Sequence, residues 1–158
     1  MKNNKFIFVF FLSLFFILCS ISCKKGGPFA PKADARVKSL SSTEIVVTAA
    51  NQSTTATIEV INGVDVTFEK YFLDYYDTGG NQLPLSTSHN ITLTISGSGS
   101  TIPSIPPTGT LTIYPVPQDV INYANTNNIK RITVNVKISG GDVNGNSIDL
   151  YTSLTLNF

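Results

Sequence analysis

The sequence is poor in charge, histidine, tryptophan and cysteine, and the shortages of charge and of cysteine each exclude a class of protein. Charged residues make up 13% of the 158 residues and the formal net charge is +1, which excludes a nucleic-acid binder with a broadly basic surface and an acidic disordered chain. Tryptophan is absent, and His89 is the only histidine. Both cysteines, Cys19 and Cys23, lie near the N-terminus, so the remainder has neither a disulfide pair nor a thiol nucleophile. That remainder is rich in serine, threonine and asparagine, which favours short strands joined by turns.

The N-terminus has the pattern of an export signal. Lys2 and Lys5 precede an uncharged apolar run, Phe6–Leu18. A basic segment followed by roughly 7–15 apolar residues is typical of a secretory signal and is short for a membrane span. A retained transmembrane helix over Phe6–Ile21 is the competing interpretation.

The end of the apolar run resembles the lipobox of bacterial lipoproteins, whose signal is cut just before a cysteine that then carries lipid. The run closes in Ser20-Ile-Ser-Cys23, without the Ala-x-Ala pattern of a soluble secreted protein. Ser22 supplies the small residue before the cut and Cys23 the lipid acceptor, whereas bulky Leu18 precedes Cys19. The resemblance implies a cleaved signal peptide over 1–22 and a lipid anchor on Cys23. It also implies a place in the bacterial cell envelope, on the outer membrane if the host has two membranes.

Residues 23–35 are predicted to form a flexible, basic tether. Glycines and prolines interrupt it, and the stretch from Lys24 to Lys38 has five positive side chains and one negative. Beyond Ser39 the chain has four positive and nine negative side chains. The tether either rests on anionic lipid headgroups, at about 1 kcal/mol for each Lys or Arg, or is a solubilising linker. The sequence leaves both interpretations open.

Alternation of apolar and polar side chains begins at Arg36 and is clearest at the C-terminus. Residues 131–139 and 147–158 alternate with period two, which predicts two half-buried strands. Between them, Asn144-Gly145 supplies the positive φ that a hairpin turn needs. The sequence therefore predicts a C-terminal β-hairpin.

Upstream segments repeat the pattern less cleanly. Strands are predicted over 42–49, 55–61, 64–76, 89–96 and 110–114. In the long segment the alternation changes face near Lys70-Tyr71, which indicates a bulge or two strand segments. Residues 97–107 are a loop of small residues and prolines, and residues 118–125 have helical spacing for about one turn.

Seven or so short strands without a sustained helical period predict an all-β fold, an antiparallel β-sandwich over 36–158. An up-and-down barrel is the structural alternative. The pattern is similar to the immunoglobulin-like and fibronectin type III-like domains of bacterial surface lipoproteins. It shares Asn62-Gly63 before the long strand, Asp77-Thr-Gly-Gly80 after it and the C-terminal hairpin, but lacks the tryptophan and cysteine pair of antibody domains.

No motif in the sequence predicts an enzyme, and no cofactor is expected. His89 shares a strand face with Ile91 and Leu93. It lacks the oriented partner that a general base needs, so we expect it at the rim of the sandwich. No cluster of histidine, cysteine and carboxylates has the spacing of metal ligands.

A calcium-binding loop is the one type of metal site that part of the sequence resembles. Asp142-Val-Asn-Gly-Asn146 resembles the start of an EF-hand loop. Ser147 and Ser153, however, occupy its sixth and twelfth positions, where the EF-hand has glycine and a carboxylate. The pattern favours a plain hairpin turn, and no metal is predicted.

Aromatic residues of the long strand are the remaining candidate for a binding face, above all Tyr71, Tyr75 and Tyr76. Tyrosine combines an apolar ring with a polar tip, and it is enriched where proteins meet other surfaces. The same rings are the obvious filling for a sandwich core that has no tryptophan. We expect the core role first and the interface role second.

Two functions remain after these exclusions. The first is a lipid-anchored cell-envelope protein whose non-catalytic β-sandwich is an adhesive, scaffolding or accessory module, with a protein partner in the envelope and no nucleic acid. The alternative is a surface lipoprotein that binds a small molecule or a glycan.

Overall fold

The alternating segments form strands over most of the residues that the structure describes. The computed structural model describes residues 30–97 and 105–158. The strands there are β1 (Ala35–Leu40), β2 (Glu44–Val46), β3 (Thr54–Val60), β4 (Val66–Tyr76), β5 (Gln82–Ile95), β6 (Thr108–Ile113), β7 (Arg131–Asp142) and β8 (Ser147–Asn157). One helix, α1 (Gln118–Thr126), lies between β6 and β7.

The strands form two separate sheets, which confirms the sandwich and not the barrel. A three-stranded sheet, the small sheet, has the order β1-β3-β6, and a five-stranded sheet, the large sheet, has the order β2-β8-β7-β4-β5. Neighbouring strands run antiparallel except β2, which pairs in parallel with the end of β8. The all-β sandwich is thus confirmed, while an immunoglobulin-like identity stays a prediction.

The long strand β4 lies inside the large sheet and contains the predicted bulge. Its register with both β5 and β7 shifts between Phe68 and Lys70. Before the shift Phe68 faces inward, and after it Tyr71 does. The extra residue at the bulge restores the inward row, which is why the alternation in the sequence changes face there.

The core lies between the two sheets and includes two of the three tyrosines of β4. Tyr71 and Tyr75 are 1% and 0% exposed. The Tyr75 hydroxyl donates to the Pro115 carbonyl at 3.2 Å, and the Tyr71 hydroxyl accepts from the Tyr114 N–H at 3.4 Å. Both hydroxyls therefore meet the segment that follows β6, and they link the large sheet to the small one while keeping their polar atoms paired.

Several element bounds differ from the sequence prediction. The strand predicted over 42–49 is reduced to β2. Strand β5 starts at Gln82 and not at His89, because Leu83 and Leu85 continue the inward row across Pro84 and the serines beside it. The predicted helical turn is the nine-residue helix α1, which buries Val120 and Ala124.

The folded domain begins inside the predicted tether. Ala33 is 7% exposed, and its N–H donates to Asp142 at 2.9 Å. The Asn62 side chain donates to the Lys32 carbonyl and accepts from the Asp34 N–H. The segment from Lys32 to Asp34 is thus fixed to one end of the sandwich, so the flexible part of the predicted tether is shorter than 23–35.

Candidate binding face

The solvent side of the large sheet is an ordered array of polar and aromatic side chains. Phe72 of β4 lies opposite Lys137 of β7, which in turn lies opposite Tyr151 of β8. Asp74 and Asn135 form the next row. We use the term outer face for six of these residues: Phe72, Asp74, Tyr76, Asn135, Lys137 and Tyr151.

Lys137 is the electrostatic centre of the outer face. Its ammonium group lies 3.0 Å from Asp149 Oδ2 and 5.9 Å from the centroid of the Tyr151 ring, within the range of a cation–π contact. The hydrogen bond to Asp149 raises the pKa of Lys137. Hydrogen bonds from Ser139 and then from Lys137 lower the pKa of Asp149. The Lys137–Asp149 pair is neutral and lies between two aromatic rings, and Asp74 adds one negative charge to the face.

Shallow depressions cross the outer face. One of about 390 Å³ is lined by Phe72, Asp74 and Lys137 together with serines of β5. A second, of about 460 Å³, is lined by Tyr76, Asn135 and Tyr151. Tyr151 is 68% exposed, so its ring is available to a ligand or partner. Aromatic rings beside hydroxyl, amide and carboxylate groups can pack on an apolar surface and orient its polar groups.

The structure separates the three predicted binding residues. Tyr71 and Tyr75 lie in the core, which was the preferred of the two interpretations. The alternative, that they form an exposed binding face, is wrong. Burial raises the pKa of Tyr75 to about 12 and also raises that of Tyr71. Tyr76 alone faces solvent, and it belongs to the outer face.

Sequence reasoning missed Lys137 and Tyr151, and it included Phe72 only as one of the aromatic residues of the long strand. Phe72 has the parity of Tyr76 and of the polar residue Asp74, which marks it as an apolar ring on a solvent-facing row. That signal was in the sequence. The approach of Lys137 and Tyr151 was not, because it depends on the register between three strands.

His89 lies where it was expected, at the half-buried rim of the sandwich. Its ring stacks on Tyr71 with 4.7 Å between the ring centroids. It projects inward from β5, on the opposite side of the sheet from the outer face.

The Asp142 loop is a hydrogen-bonded turn. Asp142 Oδ1 accepts from the N–H groups of Asn144 and Asn146, and Oδ2 accepts from the Asn146 side chain and from Ala33. Burial alone would raise the pKa of Asp142, but these hydrogen bonds outweigh it and lower the pKa. All four donors point at the carboxylate, as in an Asx turn, which supports the plain-turn interpretation.

Two of the five cations counted between Lys24 and Lys38 form ion pairs within the small sheet. Arg36 and Lys38 of β1 both reach Glu59 of β3, with nitrogen–oxygen distances of 2.6 Å and 3.4 Å. The hydrogen bond from Arg36 is the main cause that lowers the pKa of Glu59. These two side chains serve the small sheet, which weakens the interpretation that they rest on lipid headgroups.

Other predicted features lie outside the described residues. They are the signal peptide, Cys23, the first part of the tether and most of the 97–107 loop. Within residues 30–97 and 105–158, no helix has the length and apolar character needed to cross a bilayer. In the same two ranges, no three histidine, cysteine or carboxylate side chains are grouped as metal ligands.

Comparison with known proteins gives only distant likenesses. No protein family and no curated protein matches the chain. A solved structure of a protein from Archaeoglobus fulgidus is similar with 14% identity and a TM-score of 0.46, over 77% of this chain and 97% of that one. A protein from Arabidopsis thaliana is similar with 14% identity and a TM-score of 0.42, over 81% and 83%.

The C-terminal domain of wzt gives 14% identity and a TM-score of 0.38, over 84% of this chain and 80% of that one. At such identities and scores these likenesses carry no argument about function.

Proposed function

We propose that this protein is a lipid-anchored protein of the bacterial cell envelope whose β-sandwich is a non-catalytic binding module with an adhesive, scaffolding or accessory role. The lipobox-like segment that ends at Cys23 supports the anchor. The observation that carries the binding role is the row of Phe72, Lys137 and Tyr151 on the solvent side of the large sheet. Solvent-facing rows of a sheet are usually polar, so two aromatic rings beside a paired lysine mark this row as a contact surface.

A protein partner fits the outer face through its aromatic rings and its charge. Exposed aromatic residues dominate the binding energy of protein interfaces. The Lys137–Asp149 pair is neutral and Asp74 adds one negative charge, so the partner presents a mixed surface there, apolar with a small positive charge.

The depressions on the same face favour a glycan as the second candidate. Hydroxyl and amide groups of Ser86, Asn135 and Ser153 line them beside the rings of Phe72 and Tyr151. Neutral hydrogen-bonding groups combined with aromatic rings suit the mixed polar and apolar surface of a sugar.

The test is capture of the full-length protein from detergent-extracted membranes, with mass spectrometry of its N-terminus and of its companions. We expect an acylated Cys23 and a companion protein in stoichiometric amount. Changing Phe72 and Tyr151 to serine together should reduce the captured companion at least about tenfold, as loss of central aromatic residues does at interfaces. Val143→Ser removes another exposed apolar side chain, 57% exposed at the β7–β8 turn, and should leave capture unchanged.

Each part of the proposal has its own contrary outcome. An uncleaved N-terminal peptide with unmodified Cys23 contradicts the lipid anchor. If the double variant of Phe72 and Tyr151 captures as much companion protein as the unaltered chain, the outer face is not the binding site. An acylated protein without companions, combined with glycan binding that the double variant loses, replaces the first candidate by the second.

A further inference from the structure

Strand β5 is a long edge of the large sheet, and within the described residues it has few of the features that usually protect an edge. Natural edge strands are short, charged, interrupted by proline or covered. At the opposite edge of this sheet β2 spans three residues, and in the small sheet β1 carries Arg36 and Lys38. Strand β5 spans 14 residues without a lysine, arginine, aspartate or glutamate. Its protecting features are Pro84, near its start, and two shifts of its register with β4.

The inward row of β5 is only half covered. Leu85, Ile91 and Leu93 are half-buried, whereas the inward residues of neighbouring β4 are buried. The cause is the difference in sheet size, because the small sheet has three strands against five. Its edge strand β6 covers only the end of β5, where Gly109 lies against Leu93 and Ile95.

We propose that β5 pairs antiparallel with β5 of a second copy of this chain, about a two-fold axis at His89. This pairing joins the two large sheets into one continuous sheet and satisfies the outward N–H and C=O groups of both edges. An antiparallel contact between identical strands is self-complementary, so it closes at two copies.

The sequence of β5 is compatible with itself in this register. On the solvent side Ser88 meets Asn90 and Ser86 meets Thr92, so polar groups face polar groups. On the inner side Leu85 meets Leu93 and Thr87 meets Ile91, so each copy covers the half-buried row of the other. The strand has no acidic side chain, lysine or arginine, which means that no such like charges oppose one another. This match of the strand with its own copy is the reason to expect a second copy at the edge and not an unrelated chain.

The test is cysteine cross-linking of the full-length protein in native membranes under mild oxidation. In the proposed register the two copies of residue 89 lie directly opposite, with Cβ atoms about 4.5–5.5 Å apart. His89→Cys should therefore give a covalent dimer. Thr94→Cys is the matched control, because its two copies are offset by ten residues, about 34 Å along the strands, far beyond the roughly 7 Å limit between Cα atoms.

A charge placed on the edge gives a second measurement. Ser88 is exposed, so adding Ser88→Lys to the His89→Cys chain leaves the fold of each copy intact and sets two ammonium groups against the shared edge. We expect the covalent dimer to fall at least about tenfold, in line with the use of edge lysines against pairing. Thr133→Lys, on the solvent side of central strand β7 and outside the outer face, is the matched control and should leave the yield unchanged.

The outcomes separate the second copy from other occupants of the edge. A product at twice the mass of the chain, formed at position 89 and lost with Ser88→Lys, supports the proposal. No product at position 89, or an equal yield at position 94, overturns it. A cross-linked product of another mass means that a different protein occupies the edge, and it overturns the proposal as well. The unaltered chain, which retains Cys19 and Cys23, sets the background.

Discussion

At the scale of single residues, two aspartates organise two turns of the same design at opposite ends of the large sheet. Asp77 accepts from the N–H groups of Gly79 and Asn81 and from the Asn81 side chain. Asp142 likewise accepts from the N–H groups of Asn144 and Asn146 and from the Asn146 side chain. In both turns the fourth residue is a glycine with a positive φ, +81° for Gly80 and +83° for Gly145. The sequence has the pattern Asp-x-x-Gly-Asn at both turns, and Asn144-Gly145 predicted the second of them. The additional bond from Ala33 to Asp142 was not predictable, because it joins residues 109 positions apart.

We expect Asp142→Ala to destabilise the protein by about 2 kcal/mol, since hydrogen bonds to a charged group contribute about 1.5–3 kcal/mol. Asp77→Ala is the matched control in the equivalent exposed turn, and its effect should be smaller because no distant segment depends on it. Urea unfolding followed by circular dichroism measures both. An equal effect of the two substitutions would show that the bond to Ala33 contributes nothing.

Four carboxylates make the stability of the folded protein depend on pH, and their pKa values give the direction of that dependence. The pKa values of Glu59, Asp77, Asp142 and Asp149 are all lowered in the folded chain. A lowered pKa means that the folded state binds the proton less readily than the unfolded state. The stabilisation is therefore complete above the ordinary pKa values, 4.5 for Glu59 and 3.8 for each of the three aspartates. It is lost as the pH falls through the lower pKa values of the folded state.

The expected result is a thermal midpoint that is level near neutral pH and falls steadily between about pH 5 and pH 2. Asp142→Asn should flatten part of that decline, because it removes one of the four titrating groups while keeping an acceptor oxygen in the turn. Thermal unfolding monitored by circular dichroism across this range gives the curve. A midpoint that stays constant or rises on acidification contradicts the assignment.

At the scale of secondary-structure elements, strand β4 shows what the sequence could and could not predict. Its position, its inward tyrosines and its bulge near Lys70 follow from alternation alone. The start of β5 was missed because Pro84 and the neighbouring serines lack the β-branched and aromatic residues typical of strands. The parallel contact between β2 and β8 was missed because alternation carries no information on strand direction. The approach of β7 and β8 to β4 on the outer face depends on register, so only its aromatic residues of β4, Phe72 and Tyr76, were among the predicted candidates.

The bulge in β4 requires a glycine on the facing strand. A Cβ atom on Gly140 of β7 would lie 2.1 Å from the Thr67 carbonyl oxygen and 2.6 Å from the Phe68 Cα. Next to it, a Cβ atom on Gly141 would meet its nearest atom at 3.4 Å. Gly140→Ala should therefore destabilise the fold by about 1–3 kcal/mol more than Gly141→Ala, in the range of overpacked sites. Chemical unfolding of the two variants measures this difference in stability. Similar unfolding midpoints would mean that the backbone at the bulge shifts to accept a Cβ atom at residue 140 at no cost in stability.

At the scale of the whole molecule, the docked N-terminal segment defines which end of the sandwich is nearer to an anchor at Cys23. Nine residues separate Cys23 from Ala33, so the two lie at most about 33–36 Å apart. Ala33 contacts Asp142, which lies opposite the start of β4 at Val66. The Asp77 turn follows the other end of β4, about 33 Å further along the strand. The proposed lipid anchor on Cys23 would be joined to the Asp142 end, and we therefore predict that this end lies nearer to the membrane than the Asp77 end.

This orientation can be measured in vesicles that contain the acylated protein. Val143 is exposed in the turn at the membrane-proximal end, and Thr78 is exposed in the distal turn. A fluorophore on Val143→Cys should transfer energy to labelled lipids more efficiently than the same fluorophore on Thr78→Cys, because the strand length separates the two sites. Asp142→Ala releases the bond to Ala33 and should narrow the difference, since the domain can then turn about its linker. Equal transfer from both positions in the unaltered background would mean that the docked segment does not orient the sandwich.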